Sequence, residues 1–390
     1  MELLICPIRD YAWGSRSVIA ELQGRPVPSD GPEAELWMGA HPGAPSLVQR
    51  DGGEVSLAEL IDADPQDWLG PEVVARFGPR LPYLLKVLAA RTCLSLQAHP
   101  DAEQARAGYT AEVAAGRTER NYADPHHKPE LLVAISRFEA LCGFQDPLRS
   151  AEVLAALGIA ELKPVVAALR TGVSGLRSAV QTLLTWPEDE RADLVAAAAA
   201  ADPPPPYAEA VELVRRLAAE HPRDPGVLVA LLLNHVVLAP GEAIWMPTGN
   251  LHAYLEGAGI EIMAASDNVL RGGLTAKRVD VPELLRVLRF EVLTEPTVPA
   301  VPVAPGVDTW RVPVDDFALH RVCPGESVPE VRLDVVGPRV VFCLRGEITV
   351  DDGQGEVKLP AGNAAVGRAC SEPLTVSGEG EAYVASVGVP

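Results

Sequence analysis

Apolar residues along this chain change their period twice. From Met1 to about Asp101, short apolar runs such as LPYLLKVL (81–88) and TCLSLQAH (92–99) alternate with Gly and Pro punctuation, the pattern of β-strands closed by turns. Between about 146 and 220 the spacing becomes helical. SAEVLAALGIAELKPVVAALR and RADLVAAAAA are rich in Ala and Leu, and the DPPPPY loop at 202–207 interrupts them. A second β-rich block begins near Asn234. From Asp280, VPELLRVLRF reads as one amphipathic helix opened by Pro282, and TEPTVPAVPVAPG reads as an extended linker. Beyond Trp310 short β runs return until Pro390. The pattern predicts a mainly β fold with a helical insertion.

The segment 246–277, MPTGNLHAYLEGAGIEIMAASDNVLRGGLTAK, concentrates chemistry between turns. His252 and Tyr254 are two apart and share one face of an extended strand. Glu261 and Met263 repeat that arrangement after a turn expected at Glu256 to Gly259. Gly272 and Gly273 permit unusual backbone angles beside Arg271, and Lys277 follows closely. MPTGNLHA (246–253) is echoed by LPAGNAAV (359–366), with Ala365 answering His252. Two copies of one β-barrel unit, of which only the first kept its ligand, explain the echo. The spacing of Gly241, Pro247, Gly249 and His252 also resembles the second motif of cupin barrels, with Glu256 where that motif usually has Asn. Cupins are double-sheet jelly rolls that commonly bind a metal inside the barrel.

A metal site needs partners for His252. Gln97 and His99 in SLQAHPD share a strand face, and Glu130 opens the strand of KPELLVAI, which gives the set Gln97, His99, Glu130 and His252. Two imidazoles and a carboxylate suit Zn²⁺ or Fe²⁺. Alternation places Lys128 on the Glu130 face and His127 on the other, while Pro129 removes a ladder donor and marks an edge or bulge. Lys is scarce, five residues against 28 Arg, which singles out Lys128 as a titratable amine kept beside a ligand. His41, His221, His235 and His320 lack ligand-spaced neighbours and read as structural or surface residues.

Composition narrows the partners. A formal charge of −20, from 53 acidic and 33 basic side chains, disfavours nucleic acid and anionic membranes, so an anionic ligand needs a local basic pocket. MELLICPIRDYAWG lacks the regions of a signal peptide, and no apolar run reaches the roughly 18 residues of a membrane span. A cytoplasmic protein is expected. The six cysteines have no CxxC spacing and read as reduced thiols.

Four segments carry a more specific resemblance. YAWGS (11–15), LSLQAHPD (94–101), HKPE (127–130) and GIEIMAASDNVLRGGLTAKRVD (259–280) are similar to the motifs of type I mannose-6-phosphate isomerases, over about the first 280 residues. The resemblance implies one zinc ion per chain held by Gln97, His99, Glu130 and His252, with Arg271 in the active site. It also implies interconversion of mannose 6-phosphate and fructose 6-phosphate. The layout is then a catalytic cupin domain in two parts (1–145 and 231–300), a helical insertion (146–230) and a C-terminal cupin-like domain without metal ligands (301–390). The expected partner is a small-molecule sugar phosphate, bound by a monomer or weak homo-oligomer. One departure is Ala276, where the family usually has Pro before the Lys, and it predicts a looser loop.

Moving a carbonyl from C1 to C2 requires a proton to leave one carbon and return to its neighbour through a cis-enediol, with one acid/base group above the plane. Lys128 and Glu261 are both candidates for that group. Arg271 suits stabilising or orienting O1 and O2, with a salt bridge to Asp267 as its structural alternative. Lys277 suits the substrate phosphate at the cavity mouth. Asp267 or His127 could assist ring opening, with Asp267 also placed to bind substrate. Two other classes are compatible with such a barrel. An Fe²⁺ oxygenase would show an open facial triad, against which Gln97 argues, and a non-catalytic sugar-phosphate-binding cupin would bind without turnover.

Overall fold

The computed structural model describes residues 1–50 and 52–388. It is mainly β, with 34% strand and 28% helix. The residues that matter most lie on one sheet ordered Thr297–Val298, Ala243–Met246, Glu130–Ala134, His252–Ala264, Tyr83–Ala90, Glu35–Met38, Ile8–Arg9. Each central strand sorts its side chains by alternation. Leu85, Val87, Leu131, Val133, Ile260 and Ile262 enter an apolar layer shared with Val340, Phe342 and Ala385 of a second sheet. Lys86, Glu130 and Glu261, one position out of phase, face a cavity on the opposite side. Both faces are covered, which is why these strands read as nearly continuous apolar runs.

The strand His252–Ala264 runs unbroken through the expected Glu256 to Gly259 turn. Its first residues pair with Phe138–Phe144 and Leu96–Ala98, and its later ones with Tyr83–Ala90 and Glu130–Ala134. The register slips between Tyr254 and Glu256, so one residue is extra. That bulge flips the alternation and lets both Tyr254 and Glu261 face inward although seven residues separate them. Gly257 is required here. Its φ is 121°, and an added Cβ would lie 2.5 Å from the Arg137 carbonyl oxygen.

The second sheet takes in the C-terminal strands, including Val336–Asp351 and Leu374–Val387, together with Glu2–Ile5, Leu47–Arg50 and Gly53–Ser56. The N-terminal strand pairs Glu2 with Val366, a contact that no local pattern announces. The sequence echo is structural as well. Asn250 N donates to Pro247 O and Asn363 N to Pro360 O, both at 3.2 Å, with Gly249 and Gly362 at φ 79° and 77°. Where the first copy buries His252, the second buries Ala365 among Val341, Leu359 and Val384.

Helices fill the expected region from Pro147–Ala156 to Ala208–Glu220, the first capped by Asp146 with Pro147 at its start. Their core includes Leu270, Leu274 and Leu284, so the helices pack directly on the segment that bears Arg271. The 281–290 helix is shorter than expected, Val281–Val287, capped by Asp280. The linker is strand-paired. Thr297–Val298 joins Ala243–Met246, and Val301–Ala304 lies at a sheet edge, where Pro302 costs little. Helix Ala102–Ala114 lies outside the sequence expectations, although Asp101 and Gln104 form a capping box at its start. All six cysteines are free thiols. Among the described residues no helix is long and apolar enough to cross a membrane.

Glu139 fastens the helices to the barrel. Its buried carboxylate accepts from Arg216 of helix Ala208–Glu220 and from His235 at 2.6 Å. Burial raises this carboxyl, but those partners outweigh it and hold it at about 2. Its stabilisation is therefore complete above the unfolded carboxyl value of about 4.3 and is lost as pH falls toward 2. Glu139→Gln is expected to cost about 1–3 kcal/mol in urea unfolding at neutral pH. The gap from wild type should narrow below about pH 4, and a gap independent of pH would exclude the carboxylate as its source.

Candidate active site and metal centre

His99, Glu130 and His252 converge inside the barrel, each at most 2% exposed. Their ligand atoms all lie within 4.8 Å of one another. His99 Nδ1 is 2.6 Å from the Asn268 carbonyl oxygen and His252 Nδ1 is 3.0 Å from that of Asn250. A carbonyl oxygen only accepts, so both protons sit on Nδ1 and the Nε2 lone pairs point at Glu130. Burial, reinforced by Lys128, lowers His99 to about 4, so its ring is neutral. Each Nε2 is 3.4 Å from a different Glu130 oxygen, and His99 Nε2, His252 Nε2 and Glu130 Oε2 have no hydrogen-bond partner. Three buried acceptors facing one another repel unless a cation lies between them. The donor set, two neutral imidazoles and a carboxylate, fits zinc.

Glu130 is suited to that charge. Burial would raise its carboxyl, but the Lys128 ammonium beside it leads the opposing effects, and the group lies well below the ordinary carboxylate range. Lys128 Nζ lies 2.8 Å from Glu130 Oε1, while His127 turns away to Asp316, 2.9 Å distant. Alternation separates the two as expected. Pro129 sits just ahead of the strand, which is central in its sheet and needs no bulge or edge. Gln97 is paired across the ladder with His252 on one side and Arg271 on the other, so the three form one row.

A cavity of about 390 Å³ opens beside this centre. Gln97, Lys128, Glu130, Glu261, Asp267, Arg271 and Lys277 all line it. His99 and His252 reach it through Glu130. Burial lowers the half-buried Arg271 guanidinium from its ordinary value, and among the described residues it has no hydrogen bond or ion pair. The expected alternative, a salt bridge to Asp267, is absent among those residues. Asp267 Oδ1 instead takes His41 Nε2 at 3.2 Å. His41 Nδ1 accepts from Gly43 N, which leaves Nε2 as the donor and holds Asp267 below its ordinary value.

Four further residues complete the wall. Lys86 stands between Trp37 and Glu261 in the sheet register. Its Nζ is 2.9 Å from Glu261 Oε2 and 3.6 Å from Glu35 Oε1, and these carboxylates outweigh burial to keep it an ammonium. Trp37 Nε1 donates to Glu35 Oε2 at 2.7 Å, and Tyr254 Oη donates to Glu261 Oε1 at 3.0 Å. Burial leaves Glu261 raised above the ordinary carboxyl value despite Lys86. One signal was available. A Lys inside the apolar run LPYLLKVL has to be buried and paired. His41 offered no such signal, because Asp267 lies far from it in sequence.

The loop after Arg271 is tied from outside the barrel. Thr275 N donates to Asp224 Oδ2 at 3.1 Å, and Lys277 N donates to Thr275 Oγ1 at 3.1 Å. Ala276 therefore does not leave it free.

Known proteins resemble this chain in sequence and fold. The family model for the catalytic domain of phosphomannose isomerase type I matches residues 1–147. The mannose-6-phosphate isomerase of Escherichia coli K12 is 38% identical over 391 residues, covering 97% of this chain and 98% of its own. That of Bos taurus is 31% identical, covering 92% and 90%. Among solved structures, a histidine-to-alanine variant of the Salmonella typhimurium phosphomannose isomerase superposes with a TM-score of 0.91 at 34% identity, over 100% of both chains. A mannose 6-phosphate isomerase bound with zinc and yttrium superposes at 0.89, also with 34% identity over 100% of both chains.

Proposed function

This chain belongs to the type I phosphomannose isomerases, and from that premise we propose how its own residues carry the interconversion of mannose 6-phosphate and fructose 6-phosphate. The enzyme works with one zinc ion per chain. The observation that supports the residue assignment best is the trio of buried, unpartnered ligand atoms on His99, Glu130 and His252. Gln97, beside His252 in the ladder, is the fourth ligand in this reading. When bound, zinc supplies Lewis-acid polarisation of substrate oxygens.

The remaining roles follow from position. Lys277 at the mouth takes the phosphate, and Asp267, oriented by His41, takes a sugar hydroxyl. Arg271, with no protein partner, orients O1 and O2 through fixed donors. Glu261 takes the proton from C2 of the aldose and returns it to C1, while the hydroxyl proton moves from O2 to O1, so the cis-enediol forms and collapses with no net loss. Lys128 positions Glu130 through an ion pair, which leaves Glu261 as the better proton carrier.

The test is a coupled assay of fructose 6-phosphate formation before and after exhaustive chelation. Activity should disappear and return with zinc. Persistence after chelation would overturn the metal-centre assignment, and saturable binding of mannose 6-phosphate without product would favour a sugar-phosphate-binding protein.

A further inference from the structure

We propose that Asp224, outside the catalytic cavity, is a positioning residue whose carboxylate clamps the 273–277 loop and thereby fixes where Arg271 and Lys277 meet the substrate. This rests on the reading of those two cations given above. Asp224 lies in the turn between helices Ala208–Glu220 and Gly226–Val229. One carboxylate oxygen, Oδ1, accepts from Gly226 N at 2.7 Å, and the other, Oδ2, accepts from Thr275 N at 3.1 Å. Helical region and loop are therefore joined through a single side chain, with both bonds charge-assisted.

The contact beneath it is close. Gly226 and Gly273 meet backbone to backbone, and a Cβ on either would lie 2.9 or 2.8 Å from the other's Cα. Leu274, the next residue, has φ 53° and is the one non-glycine with positive φ among the described residues. Such a conformation is strained for any residue with a Cβ and persists only where surroundings impose it. Two attachments impose it here. The Leu274 side chain is 2% exposed in the helical core, and the following amide is held by Asp224.

Neither cation fixes itself. Among the described residues, the Arg271 guanidinium and the Lys277 ammonium have no ion pair or hydrogen bond, although both line the cavity. Their positions are inherited from the backbone on either side of Leu274. Release of Thr275 N would let Leu274 relax toward negative φ and swing Lys277 away from its place. Geometry lost in this way weakens substrate capture while leaving the buried metal ligands untouched.

Asp224→Asn tests the clamp, because an amide offers one acceptor where two N–H groups need one each. The expected result is a KM for mannose 6-phosphate about tenfold higher, a smaller change in kcat, and unchanged zinc content. Hydrogen exchange at the Thr275 amide should also be at least about tenfold faster than in wild type. In a Lys277→Met background the KM cost of Asp224→Asn should shrink, which a general structural defect would not produce. An unchanged KM in Asp224→Asn, or a raised KM with Thr275 exchange unaltered, overturns the proposal. If Lys277→Met alone leaves KM unchanged, the reading of Lys277 fails instead, and the clamp is judged on exchange. Should Asp224→Asn not fold, exchange in the wild-type enzyme decides, since an unprotected Thr275 amide would mean that no clamp exists.

Discussion

Glu130→Gln should yield a folded enzyme that holds far less than one zinc per chain and retains less than about one part in 10³ of wild-type activity. The amide keeps the shape of the side chain but removes its charge. In the wild type, two neutral imidazoles supply lone pairs and Glu130 supplies the single anion that offsets a divalent ion. Without it the site keeps its donors but faces the ammonium of Lys128, now without a carboxylate partner, at a position where Nζ was 2.8 Å away. A buried cation beside a cation site disfavours metal binding. Metal content by mass spectrometry of the dialysed protein, read beside the coupled assay, checks both halves of the expectation. Full zinc occupancy with near wild-type turnover would remove Glu130 from the ligand set. His252→Ala should lose zinc similarly but leave the Lys128–Glu130 pair intact, so its melting temperature should fall less than that of Glu130→Gln.

The cluster of His99, Glu130 and His252 was legible in sequence because strand alternation is a local rule. SLQAHPD and the segment around His252 carry polar residues two apart inside apolar runs, and a fold that buries them has to give them partners. Lys86 was harder to see, since its function depends on the cross-strand row Trp37, Lys86, Glu261, and register between distant strands is not written in any one of them. The same limit hid the pairing of Glu2–Ile5 with the C-terminal sheet and of His41 with Asp267. The misread turn at Glu256 to Gly259 has a different origin. Glycines that commonly signal a reversal here serve a bulge and a close approach to Phe138, and only the neighbouring strand distinguishes the two. The helix at Ala102–Ala114 is marked in sequence by its capping box, Asp101 and Gln104.

Glu261→Gln should lower kcat by about 10²- to 10⁴-fold with zinc content intact and KM within a few-fold, and it should slow exchange of the C2 proton with solvent to the same degree. Glu261 accepts from Lys86 on one oxygen and Tyr254 on the other, which uses two of about four acceptor positions and fixes the plane of the carboxylate. The remaining positions are open to the cavity. Burial raises this group above the ordinary carboxyl value, so its carboxylate takes a proton more readily than a solvated one does. The ionised form is the one that accepts the C2 proton. Activity must therefore fall as pH drops through the raised value, placing the acid limb of kcat/KM above the ordinary glutamate range, and the glutamine variant should lose that limb. Lys128→Met supplies the contrast. Lys128 is ion-paired with Glu130 and is not required to carry the substrate proton, so the zinc-bound variant should still exchange C2–H. If instead Glu261→Gln exchanged the C2 proton at near the wild-type rate and Lys128→Met did not, the proton carrier would be Lys128, and Glu261 would be left to hold Lys86 and Tyr254 in place.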